Sequence, residues 1–314
     1  MATAAQWVSG ARLRTLPLAV APVALGTGAA IGLSHHGDLT SFSLWSWGGS
    51  ALGWGGRWGG WAAFSALLAL VVSLALQVGV NYANDYSDGI RGTDDNRVGP
   101  FRLTGSAAAT PAQVKWAAFA CFGLAGLAGL ILVLLSGQWW LLLIGASCVL
   151  AAWYYTGGTR PYGYAGLGEI AVFVFFGLVA VLGTTYTQVG RISWPSFAGA
   201  VGVGALACAV LVVNNLRDVP TDAVTGKITL AVRLGDAATR RFYRALMVLP
   251  FLVAVPVLPA HPWAGLVLLA GPLARAPISA VTGGAQGLAL LPVLRDTGRL
   301  ALIYALLLAI GLSV

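Results

Sequence analysis

The sequence is poor in charge. Lys, Arg, Asp and Glu together make up 9% of its 314 residues, and only ten residues are acidic. Soluble domains carry about 25% charged residues, so a soluble globular protein is excluded. With 58% hydrophobic residues and a mean hydropathy of +0.82, the chain reads as a polytopic membrane protein lying in the lipid bilayer. Cysteine is scarce too. Cys121, Cys148 and Cys208 all sit in apolar runs without metal-ligand spacing, which points to packing. His35 and His36 form a pair with only Asp38 nearby and read as solvated, not as a metal site. The N-terminus does not suit a signal peptide: Pro17 and Pro22 interrupt the apolar stretch after Arg12 and Arg14, and many more spans follow.

What the chain has in quantity is long apolar runs. Nine stretches have the roughly 17–25 residues a span needs: 13–33, 61–84, 112–135, 138–155, 166–188, 196–215, 242–259, 263–281 and 297–314. This predicts an all-α bundle of about nine transmembrane helices in one domain, 1–314. The net charge of +8 does not point to nucleic acid. Nine spans place sixteen of the eighteen basic residues on one side, leaving Arg57 and Arg191 on the other. The basic side, with the N-terminus, is expected to be cytoplasmic in the cell membrane. The first external loop, His35–Gly60, is rich in Gly and Trp, as interfacial segments are. Gly123, Gly126 and Gly129, and again Gly199, Gly202 and Gly204, are spaced for close helix packing.

Six of the ten acids fall in two short clusters, both on the basic side. The first, NYANDYSDGIRGTDD at Asn81–Asp95, ends a long apolar run. On a helix, Gln77, Asn81, Asn84, Asp85 and Asp88 share one face. Gly89 and Gly92 can break that helix, and Asp94 and Asp95 can fold back over its end. Stacked carboxylates repel, and a divalent cation compensates them; Mg2+ prefers oxygen ligands shared with substrate phosphates. Arg97 and Arg102 follow. They suit a phosphate-bearing ligand or are ordinary loop charges. In the second cluster, NNLRDVPTD, Asn215, Asp218 and Asp222 lie at i, i+3 and i+7, although Pro220 can end or distort the helix. Lys227 is the base nearest these acids among those that follow. Two such clusters facing each other can hold metal around a diphosphate, above an apolar interior that shields an allylic cation and holds an isoprenoid tail.

These residues resemble the two Asp-rich motifs of the UbiA superfamily of intramembrane aromatic prenyltransferases. NDYSDGIRGTDDNRVGPFRLTGS, NNLRDVPTDAVTGKITLAVRLG and ARLRTLPLAVAPVALG are similar to the branch that prenylates 1,4-dihydroxy-2-naphthoate in menaquinone synthesis. The resemblance implies nine helices around a central cavity. It implies that Asn81, Asp85, Asp88, Asp218 and Asp222 hold Mg2+ and the diphosphate of a polyprenyl donor. Asn84 and Asn215 belong to the same faces. Asp94, Asp95, Arg97, Arg102 and Lys227 would cover the diphosphate. Two departures stand out. Gly92 occupies a position that is acidic in many members. A Tyr-x-x-x-Lys pattern is missing, Tyr154 and Tyr155 being followed by TGGTRP with Arg160 as the nearest base, so Tyr155 and Arg160 are weaker candidates. Glu169 is one further acid within a span. Rival readings are another acceptor, such as 4-hydroxybenzoate, and a cation transporter, although the acids gather at one face instead of tracing a path.

Overall fold

The computed structural model describes residues 2–36, 60–92 and 101–314, and among these every extended element is helical. A short helix α1 (Ala4–Gly10), opened by a Thr3/Gln6 capping box, leads into α2 (Pro17–His36). Then follow α3 (Gly60–Ile90), α4 (Pro111–Ser136) and α5 (Leu141–Tyr154). The next stretch starts as α6 (Gly168–Val172), widens into a π-helix over Phe173–Val179 and continues as α7 (Ala180–Val189). The remaining elements are α8 (Trp194–Val224), short α9 (Leu230–Leu234), α10 (Asp236–Ala254), a 3-10 run Pro262–Ala270 leading into α11 (Gly271–Thr282), and α12 (Leu290–Ser313).

Each of the nine apolar stretches expected from sequence falls on helix. Among the described residues six helical stretches are long and apolar enough to cross a membrane; α5 is shorter, at 14 residues. Local sequence sets the ends. Thr110 with Pro111 and Gln113 opens α4, and Gly137, at φ 67°, closes it. Ser193 with Pro195 and Ser196 opens α8 in the same way. Helix α8 does not stop at Pro220. Thr221 Oγ1 donates to the Asp218 carbonyl and Thr225 N–H to the Thr221 carbonyl, which carries the turn on to Val224.

The largest apolar core joins α2, α7, α8, α10 and α12 through residues such as Leu25, Val203, Leu206, Met247, Leu300 and Leu308. On the other side α5 buries no residue at all. The two glycine sets part company here. A Cβ on Gly199 would lie 2.7 Å from Leu25, and one on Gly202 2.3 Å from the Tyr304 hydroxyl, so this set serves close packing. At Gly123 and Gly126 a Cβ would meet nothing within 4 Å, and at Gly129 only Val72, at 4.0 Å. The expectation that this first set packs helices is corrected: among the described residues no partner helix arrives there, and the three glycines border a cavity.

Candidate active site

That cavity, of about 1010 Å³, runs between α3, α4, α5 and the α6–α7 stretch. Its walls are mainly apolar. Its polar end is lined by Gln77, Asn81, Asn84, Asp88, Asn214 and Asn215, with Arg12, Arg14, Arg102, Lys227 and Arg295 among them. Both acid-bearing helices, α3 and α8, therefore deliver their Asn residues to one chamber.

Asp88 reaches the chamber. Its carboxylate accepts from the Tyr164 hydroxyl at 2.7 Å and from Arg102 Nη2 at 3.2 Å. The Tyr164 ring lies under both the Arg91 guanidinium, at 5.4 Å, and Lys227 Nζ, at 5.6 Å. Lys227 in turn pairs with Asp222 at 3.3 Å. A continuous chain of contacts, Asp88–Tyr164–Lys227–Asp222, thus joins the two acid clusters. Tyr155 also lines the cavity, within electrostatic range of Asp88 and Asp222.

Asp85 behaves differently from its neighbours. It is 0% exposed, and its two oxygens accept the backbone N–H groups of Leu103, at 2.7 Å, and Thr104, at 2.8 Å. It stands about 60° round the helix from Asp88, at the edge of the polar stripe. From there it anchors the loop that carries Arg102. Asp218 is held by a two-pronged bond from Arg217, at 2.7 and 2.8 Å. Arg217 also donates to Asn214 Oδ1. Asn81 donates to the Ala11 carbonyl and the Thr15 hydroxyl, which ties the N-terminal segment to α3. Asn84 accepts from the Thr156 hydroxyl. Arg160 is exposed and is not among the cavity-lining residues; it is Arg91 that grips this loop, through the carbonyls of Thr156 and Gly158. Asp94, Asp95 and Arg97 lie outside the described residues.

Sequence reasoning missed Tyr164, and it read Arg12, Arg14 and Arg295 only as charges marking the cytoplasmic side. No sequence signal marks Arg12; in the structure its backbone lies in the left-handed region, at φ 54°, which places a strained residue in the cavity lining. Among the described residues no three His, Cys, Asp or Glu side chains converge as a metal cage. The donors present are oxygens on both sides of one chamber, and the buried carboxylates of Asp88, Asp218 and Asp222 are each held by a cationic side chain. Such a set suits a hydrated Mg2+ that keeps water and shares its charge with a phosphate ligand.

A multi-pass helical membrane protein with a charged chamber opening into an apolar vault is the class that fold and site define. Residues 39–282 match the UbiA prenyltransferase family, and the chain belongs to it. A 1,4-dihydroxy-2-naphthoate octaprenyltransferase from Mycobacterium tuberculosis is 54% identical over 313 residues, covering 100% of this chain and 98% of that protein. The Escherichia coli enzyme of the same name is 36% identical, covering 98% and 94%. A structure of a UbiA homolog from Archaeoglobus fulgidus bound to DMAPP and Mg2+ aligns with a TM-score of 0.59 at 14% identity, covering 98% of this chain and 97% of that one. At that identity the likeness concerns the fold alone.

Proposed function

We propose that the protein transfers a polyprenyl group from polyprenyl diphosphate to 1,4-dihydroxy-2-naphthoate, releasing diphosphate and carbon dioxide and giving demethylmenaquinol. The observation that carries this reading is a cavity whose charged end meets an apolar vault, with Asp88 and Lys227 in its lining and a chain of contacts, Asp88–Tyr164–Lys227–Asp222, tying the two acid clusters together behind it. The names of the full-length relatives supply the acceptor. The whole chain, 1–314, acts as one domain, its N-terminus and charged end facing the cytoplasm.

The ring carbon of the acceptor bonds to the allylic carbon of the donor. The donor carbon–oxygen bond breaks with its electron pair going to diphosphate, and the acceptor carboxylate leaves as carbon dioxide. Arg12, Arg14, Arg102, Lys227 and Arg295 attract and orient the diphosphate and stabilise its growing charge. Asp88, Asp218 and Asp222, with Asn84, would hold Mg2+. Bound there, Mg2+ would neutralise diphosphate oxygens and ease their departure. Asp85 serves by fixing the Arg102 loop, and Asn81 by fixing the Arg12–Arg14 segment. The apolar walls exclude water from the allylic carbon.

The test is mass spectrometry of products formed from an equal mixture of 1,4-dihydroxy-2-naphthoate and 4-hydroxybenzoate with one polyprenyl diphosphate. The naphthoate product is expected to dominate. Prenylated benzoate alone would overturn the acceptor assignment. Chelation should stop the reaction, and added Mg2+ should restore it.

A further inference from the structure

Glu169 opens the α6–α7 span and is 5% exposed. Its Oε1 accepts from Asn215 Nδ2 at 3.0 Å, while its Oε2 is buried without a hydrogen-bond partner among the described residues. Its backbone carbonyl accepts from the Cys208 thiol. A buried carboxyl group within a membrane span is costly, and packing alone does not require one. Resting on the prenyl-transfer reading, we propose that Glu169 is a positioning residue for the aromatic acceptor, acting through Asn215.

The argument is one of donor and acceptor chemistry. Glu169 Oε1 accepts from Asn215 Nδ2, so the amide presents its nitrogen to Glu169. This fixes the flip of Asn215 and turns Oδ1, the only acceptor of the amide, away from Glu169. Asn215 borders the cavity. It sits about 4.5 Å below Asp218 and roughly 10 Å below Asp222 along α8, towards the apolar vault. Diphosphate oxygens are acceptors and find no donor in Oδ1. A ring hydroxyl is a donor and fits it. The depth is also that of a ring waiting beneath the scissile bond. Glu169 thus serves as the lock that keeps an oxygen, not an NH2 group, turned towards the acceptor.

Steady-state kinetics on the full-length protein in detergent, with 1,4-dihydroxy-2-naphthoate and geranylgeranyl diphosphate, test this. Glu169→Ala should raise the acceptor KM about tenfold, as loss of one well-placed hydrogen bond does, with the donor KM and the Mg2+ titration unmoved. Glu169→Gln should restore most of the affinity, because its amide oxygen still accepts from Asn215, and it should keep the wild-type pH profile of kcat. Asn215→Ala should match Glu169→Ala, and the double variant should be no worse than either single one. A shift in donor KM or in Mg2+ requirement would place the pair on the metal side and overturn the proposal. Loss of one limb of the pH profile in Glu169→Gln would mean that the carboxylate itself moves protons, and would overturn it too. So would an unchanged acceptor KM in Asn215→Ala, a measurement that stands even if Glu169→Ala does not fold. Absence of wild-type turnover with the naphthoate would sink the acceptor assignment instead, and the same KM comparison is then read with 4-hydroxybenzoate.

Discussion

The two sides of the bundle use glycine in opposite ways. Where α2 crosses α12, a Cβ on Gly28 would lie 2.5 Å from the Ala309 Cα, and one on Gly32 would lie 2.1 Å from the Leu312 carbonyl oxygen. Here glycine exists so that backbones can touch. Across the cavity, a Cβ on Gly126 of α4 or Gly145 of α5 would touch nothing within 4 Å. At these positions glycine keeps the wall thin, whereas Gly79 of α3, where a Cβ would lie 2.6 Å from Phe122 of α4, still serves packing. The membrane windows of α8 and α2, at the centre of the tight side, are 78% and 67% buried; those of α3 and α4 are 33%, the same as the outlying Gly168–Val189 and Pro262–Thr282 windows. In lipid no hydrophobic force draws helices together, so close packing marks where the protein needs a rigid frame. The hollow side is where a ligand completes the structure.

The comparison is broken most decisively at the polar end of the hollow side. Asp88→Asn removes the charge that Arg102 and Tyr164 share. It should cut prenyl transfer by about a hundredfold or more while leaving the melting temperature near wild type. Asp218→Asn should act alike. Wild-type turnover in either would mean that the chamber is not the working part. On the tight side the sign reverses, with stability lost first. Gly28→Val should destabilise the fold by on the order of 3 kcal/mol, the upper end of overpacking costs, seen as a large drop in melting temperature. Gly126→Leu should leave melting nearly unchanged. It should slow transfer from a long polyprenyl donor about tenfold relative to geranyl diphosphate, a loss of roughly 1.4 kcal/mol of transition-state binding. Equal melting shifts at Gly28 and Gly126 would erase the distinction.

Much of this was legible in the sequence, because apolar runs and a polar stripe are local signals. The helices, the face shared by Asn84 and Asp88, and the nearness of Lys227 to the second cluster could all be read from spacing; that Lys227 pairs with Asp222 comes from the structure. Asp85 could not. Its place at the edge of the stripe is computable, but the loop through Leu103 and Thr104 that captures it returns from elsewhere in the chain. Arg12 and Arg14 were hidden because arginines that line a chamber and arginines that orient a membrane protein look the same along the chain. Gly123 and Gly199 were indistinguishable for a related reason: spacing shows that a helix face is small, and only the tertiary arrangement shows whether a neighbour occupies it. Pro220 misled because the rule for proline is local, whereas side-chain and backbone bonds around it sustain the helix.

A smaller effect sharpens the contrast. Gly123→Ala should stabilise the protein by about 0.5–1 kcal/mol, since the methyl group meets open space and the unfolded chain loses freedom. The same change at Gly28 should destabilise. The smallest effect lies at the water-facing end of the tight side. Arg240 pins α10 to the end of α11 by donating to the carbonyls of Val281 and Ala285, and Asp236 steadies its guanidinium from one turn away. The bond from Arg240 holds the Asp236 carboxyl below the usual aspartate range. A carboxyl depressed in the folded state adds stability above its unfolded pKa, about 3.9, and loses it as pH falls through the folded value. Asp236 is largely exposed, so solvent screens the pair and its worth is only about 0.3–0.5 kcal/mol. Asp236→Asn should therefore melt slightly below wild type at neutral pH, and the gap should close as the pH drops below 4. A gap that stayed constant down to acid pH would mean that Asp236 steadies Arg240 by shape, not by charge.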